Sequence, residues 1–150
     1  MKKTVKLLFV VAGVSVVASA AAQFAKPEDA VKYRQSAMFL MGQNAGRINA
    51  QLKTDKPNVQ VIQTSAALIE TLSKVPYEAF LPGTDLVANT KAKPEIFKDT
   101  ARFNQLAESM QGEVVKLNAA AKGGDVTAIR TAFGGVGKAC KACHDDFQAK

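Results

Sequence analysis

Cys140-Lys141-Ala142-Cys143-His144-Asp145-Asp146-Phe147, near the C-terminus, is the stretch around which the chain is organised. Two cysteines three positions apart, with a histidine directly after, form the c-type haem attachment pattern. Helical geometry explains the spacing, because positions i, i+3 and i+4 share one face. From one face both thiols can reach the two haem vinyl groups as thioethers, and the imidazole of His144 can ligate the iron axially. Cys140 and Cys143 are the only cysteines, and His144 is the only histidine. A structural zinc site takes four Cys or His ligands, more than the chain holds. A Cys-x-x-Cys redox dithiol belongs after a strand in a βαβ setting, which the flanking pattern lacks. A disulfide between the two cysteines would close too short a loop to constrain the fold.

Working outward, the motif lies on the apolar stripe Ile129, Phe133, Val136, Cys140, Cys143, Phe147, whose three- and four-residue steps predict a helix capped by Asp125. Three more segments show the same period. The first opens at Pro27, with Glu28 and Asp29 favourable at the positive end of the helix dipole, and carries Val31, Arg34, Met38, Met41, Ala45, Ile48 and Leu52. The second opens at Pro57, carries Val59, Ile62, Ala66, Ile69 and Leu72, and stops at Pro76. The third opens at Pro94, carries Phe103, Ala107, Met110, Val114, Leu117 and Ala121, and ends at Gly123-Gly124. Residues 76–93 are irregular and predict a long connection across one end of the molecule. Tyr77, Phe80 and Leu81 give that connection apolar content that should pack down. No strand-like alternation persists. The pattern predicts an all-α, antiparallel up-down-up-down four-helix bundle, with haem in the core against the first helix.

Arg34 is out of place on its stripe. A guanidinium there needs an anionic partner or a route to water, and a haem propionate suits it. Gly134, Gly135 and Gly137 each weaken a helix by about 1 kcal/mol relative to alanine. They mark either a close approach by haem or a neighbouring helix, or a tolerated weak spot.

Residues 1–22 read as a cleavable signal peptide: Lys2, Lys3 and Lys6, an apolar run too short to span a bilayer, then Ala20-Ala21-Ala22. The mature domain is then residues 23–150, with no stable membrane span after cleavage, exported to the periplasm. The formal charge of +7 falls to about +4 without the three leader lysines. The basic residues are scattered, so nucleic acid is not an expected partner.

The chain resembles the cytochrome c′ family, the class II c-type cytochromes. The resemblance rests on residues 23–37 (Gln23-Phe24-Ala25-Lys26-Pro27 onward), Pro82-Gly83-Thr84-Asp85, Lys93-Pro94-Glu95-Ile96-Phe97 and the C-terminal haem motif. It implies a left-handed four-helix bundle carrying one haem c, often a homodimer through the first two helices. It implies thioether links at Cys140 and Cys143, His144 as proximal ligand, and Arg34 and Gln35 at the haem and its propionates. Thr84 and Asp85 match a loop near the haem edge. The sequence departs from the family twice. Met38 stands where Leu, Phe or Tyr is common, and Gln148 stands where a basic residue is common on the proximal side.

Two functions follow. The first is electron transfer, with His144 and Met38 as axial ligands and a periplasmic redox partner. A thioether ligand raises the potential, as in low-spin methionine-ligated relatives. The alternative is a five-coordinate haem binding NO or CO, in which Met38 is a flexible core filler. Catalysis lacks support, since no second histidine or carboxylate cluster accompanies the motif.

Overall fold

The computed structural model describes residues 24–150; the expected signal peptide lies outside them. Helix α1, Pro27–Leu52, begins as its sequence predicts, with proline in the first turn and Glu28 and Asp29 behind it. Helix α2 is Val59–Leu72. It starts two residues later than Pro57 suggests because Asn58 takes the capping role, its side chain accepting from the Val61 N–H at 3.3 Å. After Ser73, a short 3₁₀ turn, Val75–Ala79, uses Pro76 in its first turn and buries it.

The third predicted helix is two. A single turn, α3 (Glu95–Lys98), follows Pro94, and the long helix α4 (Thr100–Gly123) begins afresh. Asp99 makes the break: its non-helical backbone (φ −124°, ψ 61°) frees its carboxylate to accept from the Arg102 N–H at 3.0 Å. Gly124, in the left-handed region at φ 76°, closes α4. Asp125 opens α5 (Val126–Phe147), accepting from the N–H groups of Thr127 and Ala128.

The long helices α1, α2, α4 and α5 form the four-helix bundle. Helix α1 packs on α2 and on the Val75–Ala79 turn, α2 on α4, and α4 on α5, while α1 and α5 have little direct packing between them. The apolar interior falls into two clusters. One joins Ile48, Leu52, Ile62, Ile69, Met110, Val114, Leu117, Ile129 and Val136. The other joins Ile96, Phe103, Leu106 and Phe147, with Tyr77 and Phe80 against it. Burying each of the larger side chains contributes roughly 1.5–3 kcal/mol. Among the described residues no helix is long and apolar enough to cross a membrane.

The irregular connection does cross one end of the bundle. The Lys93 N–H donates to Phe147 O at 3.0 Å and the Ala149 N–H to Lys91 O at 2.8 Å, in a short antiparallel bridge between Ala92 and Gln148. The end of α5 is thus tied to the loop a few residues after His144.

The three glycines of α5 have separate explanations. A Cβ on Gly135 would collide with the Glu113 carboxylate of α4, so Gly135 serves helix packing. Gly137 faces a cavity. Gly134 meets nothing within 4 Å, and nothing around it calls for glycine.

Candidate haem-binding site

Between α1 and α5 lies a cavity of about 760 Å³, within the range of about 300–1,000 Å³ usual for cofactor sites. Its lining draws on both apolar clusters, Ile69, Met110, Val114 and Val136 from one and Ile96, Phe103 and Phe147 from the other, with Tyr77 packed against both. The α5 wall carries Phe133, Gly137, Cys140, Cys143 and His144. The predicted motif therefore opens into one space, and the three side chains stay together as the i, i+3, i+4 spacing requires. Neither cysteine is in a disulfide, both are half-buried, and burial pushes both thiols up from their ordinary pKa. Asp146 and Cys140 add to that rise at Cys143, while Arg102 opposes it.

The opposite wall is α1, which contributes Arg34, Gln35, Met38, Phe39, Met41, Gly42 and Ala45. Met38 is half-buried and shares this wall with Met41, across the cavity from the motif. Arg34 is 3% exposed. Its hydrogen-bonded partners are in the loop: Nη1 donates to Ala79 O at 2.9 Å and Thr84 Oγ1 at 2.6 Å, Nη2 to Thr84 O at 3.0 Å and Thr90 Oγ1 at 2.9 Å. The guanidinium also stacks on Phe80, 4.4 Å from the ring centroid. Its Nε–H is donated to no described residue. Burial lowers the Arg34 pKa, and the charge of Asp85 partly opposes this. Gln35 donates from Nε2 to Asn89 O at 2.9 Å. Thr84 and Asp85 do not line the cavity. Thr84 is buried behind Arg34, its hydroxyl donating to Leu81 O.

The cavity also takes residues that motif reading passed over. Tyr77, Phe80 and Phe103 form an aromatic wall, with Phe103 5.8 Å from Tyr77, 4.9 Å from Phe80 and 5.4 Å from Phe147 between ring centroids. Their apolar character was visible in the sequence; their convergence was not. Burial raises the Tyr77 pKa well above that of a free phenol. Lys91 and Gln148 sit at the rim. The Gln148 N–H closes α5 by donating to His144 O at 3.0 Å.

A model of the Cytochrome C′ family matches residues 29–148. The chain belongs to the cytochrome c′ family. It is 47% identical over 129 residues to cytochrome c′ of Alcaligenes xylosoxydans xylosoxydans, covering 85% of this chain and 99% of that one. It is 45% identical over 129 residues to the Rubrivivax gelatinosus protein, covering 85% and 100%. The crystal structure of Rubrivivax gelatinosus cytochrome c′ superposes with a TM-score of 0.80 at 44% identity, over 85% of this chain and 100% of that one. A nitric oxide complex of a leucine-to-alanine mutant of Alcaligenes xylosoxidans cytochrome c prime matches with a TM-score of 0.78 at 47% identity, over 85% and 98%.

The family binds covalent haem c and is not enzymatic. The chain's two cysteines are the pair that such attachment needs. The cavity fits the cofactor: its lining is mostly apolar, with Arg34 and Gln35 as polar groups on α1, both thiols stand on one wall, and a Cβ on Gly137 or Gly42 would meet nothing within 4 Å.

Proposed function

We propose that this chain is an exported haem c protein that binds NO or CO on the α1 side of its cavity, with His144 as proximal ligand and Met38 as a non-ligating distal side chain. Bound haem supplies an iron that takes up a diatomic gas or one electron. Cys140 and Cys143 would hold the macrocycle, and His144 the iron. Gln35 and the free Nε–H of Arg34 would meet the propionates. The loop that holds Arg34 brings in Thr84 and Asp85, which act behind that contact.

The observation that carries the reading is the chemistry of the α1 wall beyond Arg34 and Gln35. Met38, Met41 and Ala45 offer no charge and no hydrogen-bond donor. A neutral diatomic loses little by entering such a space, whereas a hydrated anion would lose its hydrogen bonds without replacement. The nitric oxide complex of the 47%-identical relative supports the same reading.

Met38 also carries a second reading, electron transfer through a His144/Met38 haem to a periplasmic redox partner, because a thioether can ligate the iron. Visible spectra of the ferric and ferrous forms separate the two. High-spin bands at neutral pH, unchanged in Met38→Leu, are expected. Split low-spin bands that become high-spin in Met38→Leu, with a lower reduction potential, would establish the electron carrier instead.

Export and pairing belong to the same proposal. Residues 1–22 would be removed on the way to the periplasm, which N-terminal sequencing of the mature protein checks. A homodimer through α1 and α2 is supported by exposed apolar side chains on both helices, Phe39 and Leu40 on α1 and Leu68 on α2. Light scattering of the wild type against Leu40→Glu with Leu68→Glu tests it; a monomeric wild type removes it.

A further inference from the structure

An α-helix leaves its last four carbonyls without a partner inside the helix. In α5 these belong to His144, Asp145, Asp146 and Phe147. The first accepts from the Gln148 N–H at 3.0 Å. The other three accept from a single residue, Lys93. Its ammonium donates to Asp145 O at 3.2 Å and Asp146 O at 3.0 Å, and its backbone N–H donates to Phe147 O at 3.0 Å. The carboxylates at this end are engaged elsewhere, Asp145 with Lys141 and Asp146 with Arg102. Among the described residues Lys93 forms no ion pair, so its charge rests on the carbonyl end of the helix. Lys93 also ends a strap. Thr90 Oγ1 accepts from Arg34 Nη2 at 2.9 Å and from the Ala92 N–H at 3.2 Å. Residues 90–93 thus run from the buried arginine of α1 to the last turn of α5, two helices with little direct packing of their own.

We propose that Lys93 is a positioning residue for the haem iron that acts through His144. It keeps the last turn of α5 wound, which holds the imidazole in one stance, and it offsets the negative end of the helix dipole beside that ligand. The proposal rests on His144 as proximal ligand in the reading above. Helix ends fray, and the proximal ligand here stands in the final turn. The carbonyl end of a helix carries roughly half a negative elementary charge. An ammonium placed on that end removes a field that would otherwise favour ferric over ferrous iron.

The test uses Lys93→Met, which keeps the stem and removes the charge, and Lys93→Arg, which keeps the charge. Two quantities are read on the holoprotein: the reduction potential and the resonance Raman band of the iron–histidine bond. The band is recorded in the ferrous Met38→Leu background, where no thioether can take the sixth site. Lys93→Met should lower the potential and shift and broaden the band, and Lys93→Arg should bring both back toward wild type. If Lys93→Met gives no folded holoprotein, Lys93→Gln decides, with the same expected changes. A lower melting temperature with potential and band unchanged overturns the proposal, since Lys93 would then only cap a helix. A lowered potential with an unmoved band overturns it too, because charge alone would account for the shift. No iron–histidine band in the Met38→Leu protein with Lys93 intact would bring down His144 as the ligand, and this proposal with it.

Discussion

Arg34 carries a positive charge into the interior without a hydrogen-bonded carboxylate. Four neutral acceptors on residues 79–90 offset its desolvation. Arg34→Leu would leave the Ala79 and Thr84 carbonyls without their donor, and should cost about 2–4 kcal/mol, read from the urea midpoint of the holoprotein. It should also lower the reduction potential, because a positive charge beside the cavity favours ferrous iron. An unchanged potential with lost stability would show that Arg34 serves the loop alone. Tyr77 gives a pH dependence. Its pKa is raised in the folded state, chiefly by burial. The folded protein therefore holds a proton that the unfolded chain releases above about pH 10. Its share of stability is complete below that pH and is lost as pH rises toward the folded value. Tyr77→Phe should flatten the alkaline fall in melting temperature, and an identical fall in both proteins would assign it to other groups.

At the scale of the elements, the helix junctions are set by single residues. Asp99 and Asp125 each satisfy N–H groups that would otherwise be orphaned at a helix start. Asp125→Ala should cost about 0.5–2 kcal/mol in chemical denaturation. Gly124 is held at φ 76°, with Val59 Cγ1 4.0 Å from where a Cβ would lie. Gly124→Ala should therefore destabilise by about 1 kcal/mol or more, by backbone strain and not by collision. Replacing Gly134, which has open space and no special φ, should stabilise α5 by up to about 1 kcal/mol. Opposite signs for Gly124→Ala and Gly134→Ala in one denaturation series would separate conformation from helix propensity.

For the molecule as a whole, the cavity is lined by members of both apolar clusters, so its contents pack against both. Haem in the wild type should resist acid-acetone extraction. In Cys140→Ala with Cys143→Ala it should extract freely, and the apoprotein should unfold at lower temperature because the largest apolar occupant of the core is lost. A purified protein whose mass equals the bare mature chain, after expression in a haem-competent host, would contradict covalent attachment. The tie between residues 91–93 and the end of α5 gives that attachment a second anchor, since it fixes the helix just past His144.

The spacing of Cys140, Cys143 and His144 was legible in the sequence because a motif within one helix needs only helical periodicity to bring its members together. The same holds for the start of α1 at Pro27 and for the caps at Gly124 and Asp125, where local backbone chemistry decides the outcome. Proline does not mark the start of α2 or of α4, because a capping side chain, Asn58 or Asp99, sets each of those starts instead. Long-range partners were beyond local patterns. Arg34 was recognisable as a charge needing company, but four acceptors 45 to 56 residues away form only when the loop folds back over α1. Periodicity along the chain places the haem motif on the last helix and marks which residues of each helix face inward. That α1 and α5 stand apart around a cavity, and which loop residues surround Arg34, follows from the tertiary packing. Those depend on how separate helices pack, and no periodicity along one chain segment encodes the distance to another.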